Sequence, residues 1–274
     1  MAIRQSIVTA NSLPIMVALS VALTTLFALS ISASPCVPNV CPEKVGAEGV
    51  QVRLPPEFNV TSPQQDNCPW RPLPVGFFFK PWYIIVATNP QYVTMRNIQY
   101  DPTPVDPSDI TGQVNDLFSF QIPGNETVYT TYGVDTPRPG FVDLLDFRGT
   151  GIIANATSEF SILFWGCDAD YMPYYGSYST ATAQTKTPPG LDVLSTNYKG
   201  PDQGTLDAIL KGLKDLGSEE ITGLVNKLNT LKHDTAKRNL PNATCDDYCK
   251  TNLNLVSILS AASGSGSGSG SSSG

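Results

Sequence analysis

Between residues 76 and 187 the chain is cut by turn residues into short apolar runs, a pattern that fits antiparallel β-structure better than anything else. Eight runs can be read: FFFKPWYIIVAT, VTMRNIQY, QVNDLFSFQI, TVYTTYGV, FVDLLDF, IIANA, EFSILFW and YYGSYSTATAQ. Most are set apart by turn sequences such as DPTPVDPSD, PGNE, DTPRPG and RGTG. The runs are rich in Val, Ile, Thr and aromatic residues and recur about every 10–15 residues, the spacing of an antiparallel barrel or sandwich. Several alternate: Phe118, Phe120 and Ile122 fall on one face, Leu117, Ser119 and Gln121 on the other. With 23 prolines in the chain, many of them between these runs, a helical bundle is excluded for most of it.

After Pro189 the period changes. Leu206, Ile209, Leu210, Leu213 and Leu216 recur at helical spacing over Thr205 to Leu216, and Gly217 stops the pattern. Ser218 can cap a second helix with Glu219 and Glu220 in its first turn and an apolar stripe of Ile221, Leu224, Val225, Leu228 and Leu231. Both stripes are expected to dock on the β-structure.

The ends of the chain speak to compartment. Arg4 followed by the uncharged stretch Leu13 to Ala33 reads as a secretory signal peptide over residues 1–33, with a signal anchor as the alternative. No other segment is long and apolar enough to span a membrane. All six cysteines, Cys36, Cys41, Cys68, Cys167, Cys245 and Cys249, lie beyond the cleavage point, as expected of disulfides in a secreted protein. Asn59, Asn125, Asn155 and Asn242 each open an Asn-x-Thr sequon, the acceptor of N-glycosylation. Residues 34–75 are Pro-rich and read as an extended arm pinned by cysteines, residues 76–250 as the barrel with its helices, and residues 251–274, ending in Ser and Gly only, as a disordered tail. A net charge of −7 argues against nucleic-acid binding. The single histidine, His233, excludes a His-rich metal site and is expected in solvent.

The motifs in this order resemble the lipocalin family, and within it the violaxanthin de-epoxidase-type and apolipoprotein D-like domains. Lys80-Pro81-Trp82-Tyr83, leading into Asn89-Pro90, matches the strand-A Gly-x-Trp-Tyr motif except that Lys80 replaces its glycine. Ser158-Glu159-Phe160 matches the second motif loosely, and Lys186 stands where the third carries arginine. The segment from Gly166 to Tyr171 is similar to the exit of strand G in such proteins. The resemblance implies an eight-stranded antiparallel up-and-down barrel with C-terminal helices packed on it. It implies that Trp82 closes the barrel base beneath a cation, here Lys186, at about 0.5–2 kcal/mol. It also implies a disulfide between Cys68 and Cys167. Cys245 and Cys249 then pair with each other or with Cys36 and Cys41, the latter being slightly preferred.

A barrel of this size holds one small ligand. Alternation turns Ile84, Val86, Phe118, Phe120, Ile162 and Phe164 inward, and such an apolar lining suits a lipid, retinoid or carotenoid. The expected function is therefore a secreted binder or carrier of a small hydrophobic ligand, without metal or cofactor, and with no stable membrane insertion once the signal is cleaved. Two alternatives stand beside it: a violaxanthin de-epoxidase-like enzyme, which would place the protein in a plastid lumen, and a secreted structural glycoprotein. Against the enzyme, Val93, Arg96 and Asn97 occupy positions where the de-epoxidases carry acids and a cysteine. Asp143 and Asp146 are the remaining acid candidates, and both are expected to face solvent, so no catalytic residue is assigned.

Overall fold

The computed structural model describes residue 41 and residues 44–56, 71, 73–74, 76–141, 143–234 and 242–258. Ten strands run in order: β1 (Trp82–Ala87), β2 (Arg96–Tyr100), β3 (Thr103–Pro104), β4 (Val114–Gln121), β5 (Tyr129–Pro137), β6 (Leu144–Gly149), β7 (Thr157–Cys167), β8 (Pro173–Ser179), β9 (Gly190–Ser195) and β10 (Asn229–Thr230). Eight of them pair antiparallel with their neighbours in the sequence β1-β2-β4-β5-β6-β7-β8-β9, and β9 returns to pair with β1. The sheet thereby closes into the lipocalin-like barrel that the sequence implied. β3 is a short addition at the edge of β4, and β10 one at the edge of β1.

Eight strands were expected and eight close the barrel, but two assignments differ. The IIANA run is a 3-10 turn, Gly151–Ile153, leading into β7. The eighth strand is instead GLDVLS, directly after the Pro188-Pro189 pair, where the prolines and the nearby helix obscured a six-residue alternation.

Two β-bulges divide inside from outside. In β1 the register shifts between Ile84 and Val86, and in β7 between Ile162 and Phe164. A bulge adds one residue and turns the following side chains over. Ile84 and Ala87 therefore join the inner core with Trp82, Tyr100 and Tyr175, while Ile85 and Val86 both face outward. Likewise Ile162 and Trp165 are inside, and Leu163 and Phe164 outside. The ring of Phe164 lies over Gly176, where a Cβ would sit 1.9 Å from it.

The doubled outward residues receive the helices. Helix α1 (Gln203–Asp215) starts two residues earlier than its stripe predicts, because Asp202 accepts from the Thr205 amide at 3.0 Å. Helix α2 (Glu219–Val225) is capped by Ser218 as expected. Their buried residues Ile209, Leu213, Ile221, Leu224 and Val225 form one cluster with Ile85, Val86, Phe164, Leu191 and Val193. Each fully buried aliphatic side chain of this kind contributes about 1.5–3 kcal/mol.

Two segments seal the barrel where neighbouring strands part. β1 pairs with β2 only at Trp82 and Tyr83. Residues 229–234 fill the gap beyond: Thr230 and Asn229 pair with Val86 and Ala87, and Leu231 N donates to Ile85 O at 2.8 Å. His233 is part-buried there rather than in solvent; its Nε2 donates to Ile84 O at 2.7 Å and its ring meets Tyr83 edge-on. Likewise β5 pairs with β6 only from Gly133 onward. Beyond that point Asn252, in the left-handed conformation at φ 58°, accepts from Tyr132 N at 2.8 Å and donates to Tyr132 O at 2.9 Å and Thr150 O at 3.0 Å. Asn254 accepts from Thr130 N at 3.0 Å. Residues 251–258, expected within a disordered tail, are thus folded onto the barrel. Short helix α3 (Asp247–Lys250) and the Cys245–Cys249 disulfide precede them.

The arm also differs from expectation. Residues 44–56 run antiparallel to β7, with Val52 bridging Phe164 and Arg53 N donating to Leu163 O at 2.9 Å. Arg53 also forms an ion pair with the buried Asp143 at 2.9 Å, so Asp143 is not solvated. Asp146 is exposed and pairs with Arg138. The antiparallel run carries Cys41 to the end of β7, and the disulfide is Cys41–Cys167, not Cys68–Cys167. Cys36 and Cys68 lie outside the described residues, as do the whole 1–33 segment and Asn59.

Two outcomes test this arrangement. Peptide mapping without reduction should recover Cys41 linked to Cys167 and Cys245 linked to Cys249; a Cys68–Cys167 peptide contradicts it. Asn252→Ala leaves Tyr132 N without its acceptor and Tyr132 O with only Thr150 Oγ1 at 3.2 Å, and should lower unfolding free energy in urea by roughly 1–3 kcal/mol.

Candidate functional site

One end of the barrel opens into a cavity of about 470 Å³. Its rim is made by the β1–β2 connection (Asn89, Tyr92, Met95), the 3-10 turn at Ile152 and Ile153, and the 182–188 turn between β8 and β9. Leu255 and Ile258 of the C-terminal segment complete it. The walls are aromatic and aliphatic: Ile98, Tyr100, Phe118, Phe120, Phe147 and Phe160. Tyr100 and Phe118 stack at 4.6 Å between ring centroids.

Of the six residues assigned to the ligand from alternation, Phe118 and Phe120 line this cavity. Ile84 and Ile162 are inside the barrel but belong to its packed core. Val86 and Phe164 are on the outer face beneath the helices, turned there by the two bulges. Trp82 is fully buried at the closed end; its Nε1 donates to Phe78 O at 2.8 Å and its ring meets Tyr175 edge-on at 4.7 Å. The cation against it is Lys80, 5.4 Å from the Trp82 ring and 4.4 Å from that of Phe77. Lys186 instead sits exposed in the turn at the cavity rim. Lys80, which breaks the strand-A motif, thus provides the charge that the motif in the last strand was expected to supply.

The deeper lining holds three carboxyl groups that the sequence reading missed: Asp116 of β4, Asp135 of β5 and Asp192 of β9. Asp116 and Asp135 are close enough to influence one another's ionisation. Tyr100 Oη donates to Asp135 Oδ2 at 3.1 Å. Burial away from water raises both acids above the usual carboxylate range, and for Asp116 the charge of Asp135 raises it further. Burial likewise pushes Asp192 up to about 7. Asp192 Oδ1 is sealed from solvent without a hydrogen-bond partner among the described residues. Tyr175, with none of its surface exposed, has a hydroxyl in the same condition. Burial raises the Tyr175 hydroxyl pKa, and the charges of Asp116, Asp135 and Asp192 add to the effect. Among the described residues no group of His, Cys, Asp and Glu is arranged to hold a metal ion.

A signal for these acids was present. Asp116 is in phase with Phe118 and Phe120, and Asp192 with Leu194, so an inward reading of the aromatic residues carries the acids with it. The prior that acids face water hid them.

Their placement has a consequence for stability. A carboxyl whose folded pKa lies near 7 binds a proton in the native state that the unfolded chain has already released above about 4. Stability from this source is complete below pH 4 and falls as pH climbs towards 7. Asp192→Asn, which cannot ionise, should therefore match the parent in melting temperature at pH 4 and exceed it by several degrees at pH 8. A gap that stays constant with pH rejects the assignment.

Comparison with known proteins adds three observations. No family model matches the chain. Among solved structures, lobster apocrustacyanin A1 superposes with a TM-score of 0.41 at 14% identity, over 58% of this chain and 78% of that one. Insecticyanin of the tobacco hornworm Manduca sexta gives 0.40 at 16% identity, over 58% and 80%. A curated relative, Botcinic acid biosynthesis cluster B protein 12 of Botryotinia fuckeliana (strain B05.10), is 30% identical over 213 residues, 75% of this chain and 93% of its own length. With identity at that level over nearly the whole relative, the chain belongs to the family of Botcinic acid biosynthesis cluster B protein 12.

Proposed function

We propose that the protein binds one small, mainly apolar molecule in the open end of the barrel. The observation that carries this is the 470 Å³ cavity with aromatic walls, a volume suited to a ligand of a few hundred daltons. The ligand contacts are Phe118 and Phe120 from the original assignment, joined by Ile98, Tyr100 and Phe160. The relative's name ties that protein to a biosynthesis cluster, and we extend this to the present chain: its ligand is an intermediate or product of small-molecule biosynthesis. The reading also takes the protein to be secreted and glycosylated. The stretch 1–33, the disulfides and the exposed sequon residues Asn155 and Asn242 support it.

A second reading, an enzyme that works on the bound molecule by acid catalysis, is favoured by one observation. Asp116 and Asp135 lie together in the lining of a ligand-sized cavity, where burial favours their protonated forms, and an acid held protonated near neutral pH is what such catalysis requires. The de-epoxidase reaction is the narrowest form of this reading. Arg96, one of the residues at the de-epoxidase positions, is committed elsewhere, in ion pairs with Glu126 and Asp234.

Native mass spectrometry of protein from its source should show a co-purified apolar molecule. Quenching of tryptophan fluorescence by retinoids or fatty acids should saturate near one ligand per chain. No saturable binding across such a panel overturns the proposal. Incubation with violaxanthin and ascorbate at acid pH should leave the pigment unchanged; conversion moves the function to the enzyme.

A further inference from the structure

Three carboxyl groups line one cavity whose walls hold nothing to balance them. Asp116 and Asp135 come from the neighbouring strands β4 and β5, and Asp192 comes from β9, beyond the β1–β2 pair in the closed order of strands. They therefore approach the same space from separate parts of the wall. The lining contains one cationic side chain, Lys186, and that lies exposed in the rim turn. Among the described residues none of the three acids forms an ion pair. A second, independent mark is Asp192 Oδ1, which is buried with no hydrogen-bond partner among the described residues although Asp192 belongs to the lining. A buried carboxyl left in this condition is costly, and a bound group that brings positive charge and N–H protons relieves it.

The chemistry of the surroundings selects that group. An anionic head would be repelled by all three acids. A hydroxyl can donate to one carboxyl but balances no charge. A metal ion is not the counter-charge, since among the described residues no group of His, Cys, Asp and Glu is arranged to hold one. The acids instead share a space of about 470 Å³, which suits a larger cation. An organic ammonium group fits it. Its protons serve carboxyl oxygens, and aromatic walls such as Tyr100, Phe118 and Phe120 attract a cation taken out of water. We propose that the cavity takes an amine with an apolar body, whose ammonium group lies among the carboxyl groups of Asp116, Asp135 and Asp192. An acid that holds its proton in the empty cavity releases it to solvent as the ammonium group arrives, so the pair formed is carboxylate and ammonium. The inference rests on the reading of the barrel as a ligand site and narrows it to amines.

The test uses the full chain at pH 8, where Asp192, pushed up to about 7 by burial, is mostly ionised. It follows displacement of the neutral fluorophore N-phenyl-1-naphthylamine. Three competitors share one alkyl chain: decylamine, 1-decanol and decanoate. Decylamine should displace the fluorophore at a concentration about tenfold lower than 1-decanol, the worth of a hydrogen bond to a charged group, and decanoate should be the weakest. The preference should persist in about 0.5 M sodium chloride, because a buried pair is screened far less than attraction to the chain's net charge of −7. In Asp192→Asn, and separately in the Asp116→Asn/Asp135→Asn pair, the preference should drop to about threefold or less, with the potency of 1-decanol held within about twofold. Equal or greater potency of 1-decanol in the parent protein, a preference lost in salt, or one that survives both sets of substitutions overturns the amine assignment while leaving the apolar site standing. Decanoate as the strongest competitor overturns it in favour of an anion site. Failure of the fluorophore to bind saturably removes the barrel-binding reading, and the amine assignment with it.

Discussion

The pairing of Gly190–Ser195 with Trp82–Ala87 is the contact on which everything else rests. It turns a meander of strands into a closed surface, removes two sheet edges at once, and so creates an interior. Both sides of this seam are used. Inward, Ile84, Ala87 and Leu194 join the core and Asp192 reaches the cavity. Outward, Ile85, Val86, Leu191 and Val193 make the apolar surface that α1 and α2 cover. The bulges in β1 and β7 double the outward apolar residues at the places where the helices lie, so the same local irregularity that interrupts alternation also provides the docking face.

Closure is complete at the Trp82 end and deliberately incomplete at the other. There β1 separates from β2 and β5 from β6, widening the barrel enough to hold a ligand. Open backbone on a parted strand needs a partner. Residues 229–234 meet that need at one gap with backbone pairing and the His233 bond, and residues 251–255 at the other with side-chain amides of Asn252 and Asn254. The cavity is thus a product of two non-barrel segments as much as of the strands, and Leu255 and Ile258 belong to its lining because the C-terminal segment is anchored there.

Inside that space the low polarity governs the chemistry. Among the described residues Asp116, Asp135 and Asp192 form no ion pair with a cation, and burial keeps protons on them to a higher pH than in water. The cost is borne by a fold fastened with disulfides and a well-packed helix layer.

By itself the sequence determined the class of fold. Run length, turn residues and the change of period after Pro189 follow from local steric and hydrophobic preferences, which are written residue by residue; hence the antiparallel β-structure, the Ser218 cap and the stripe of α1 were legible, whereas the second stripe was read too long: α2 stops at Val225, and Leu231 packs in the barrel core instead. Phe118 and Phe120 were placed correctly for the same reason, since β4 alternates without interruption along these residues. What depends on distant partners was not legible. Val86 and Phe164 were turned outward by bulges, which exist only relative to the register of a neighbouring strand. Cys167 met Cys41 because the arm runs antiparallel to β7, an alignment fixed by Val52 and Arg53 against Phe164 and Leu163. Asp116, Asp135 and Asp192 became a site only when closure brought three separate strands around one cavity. Only the tertiary structure could decide this, because the cost of burying an acid, and therefore its chemistry, is set by neighbours remote in the chain.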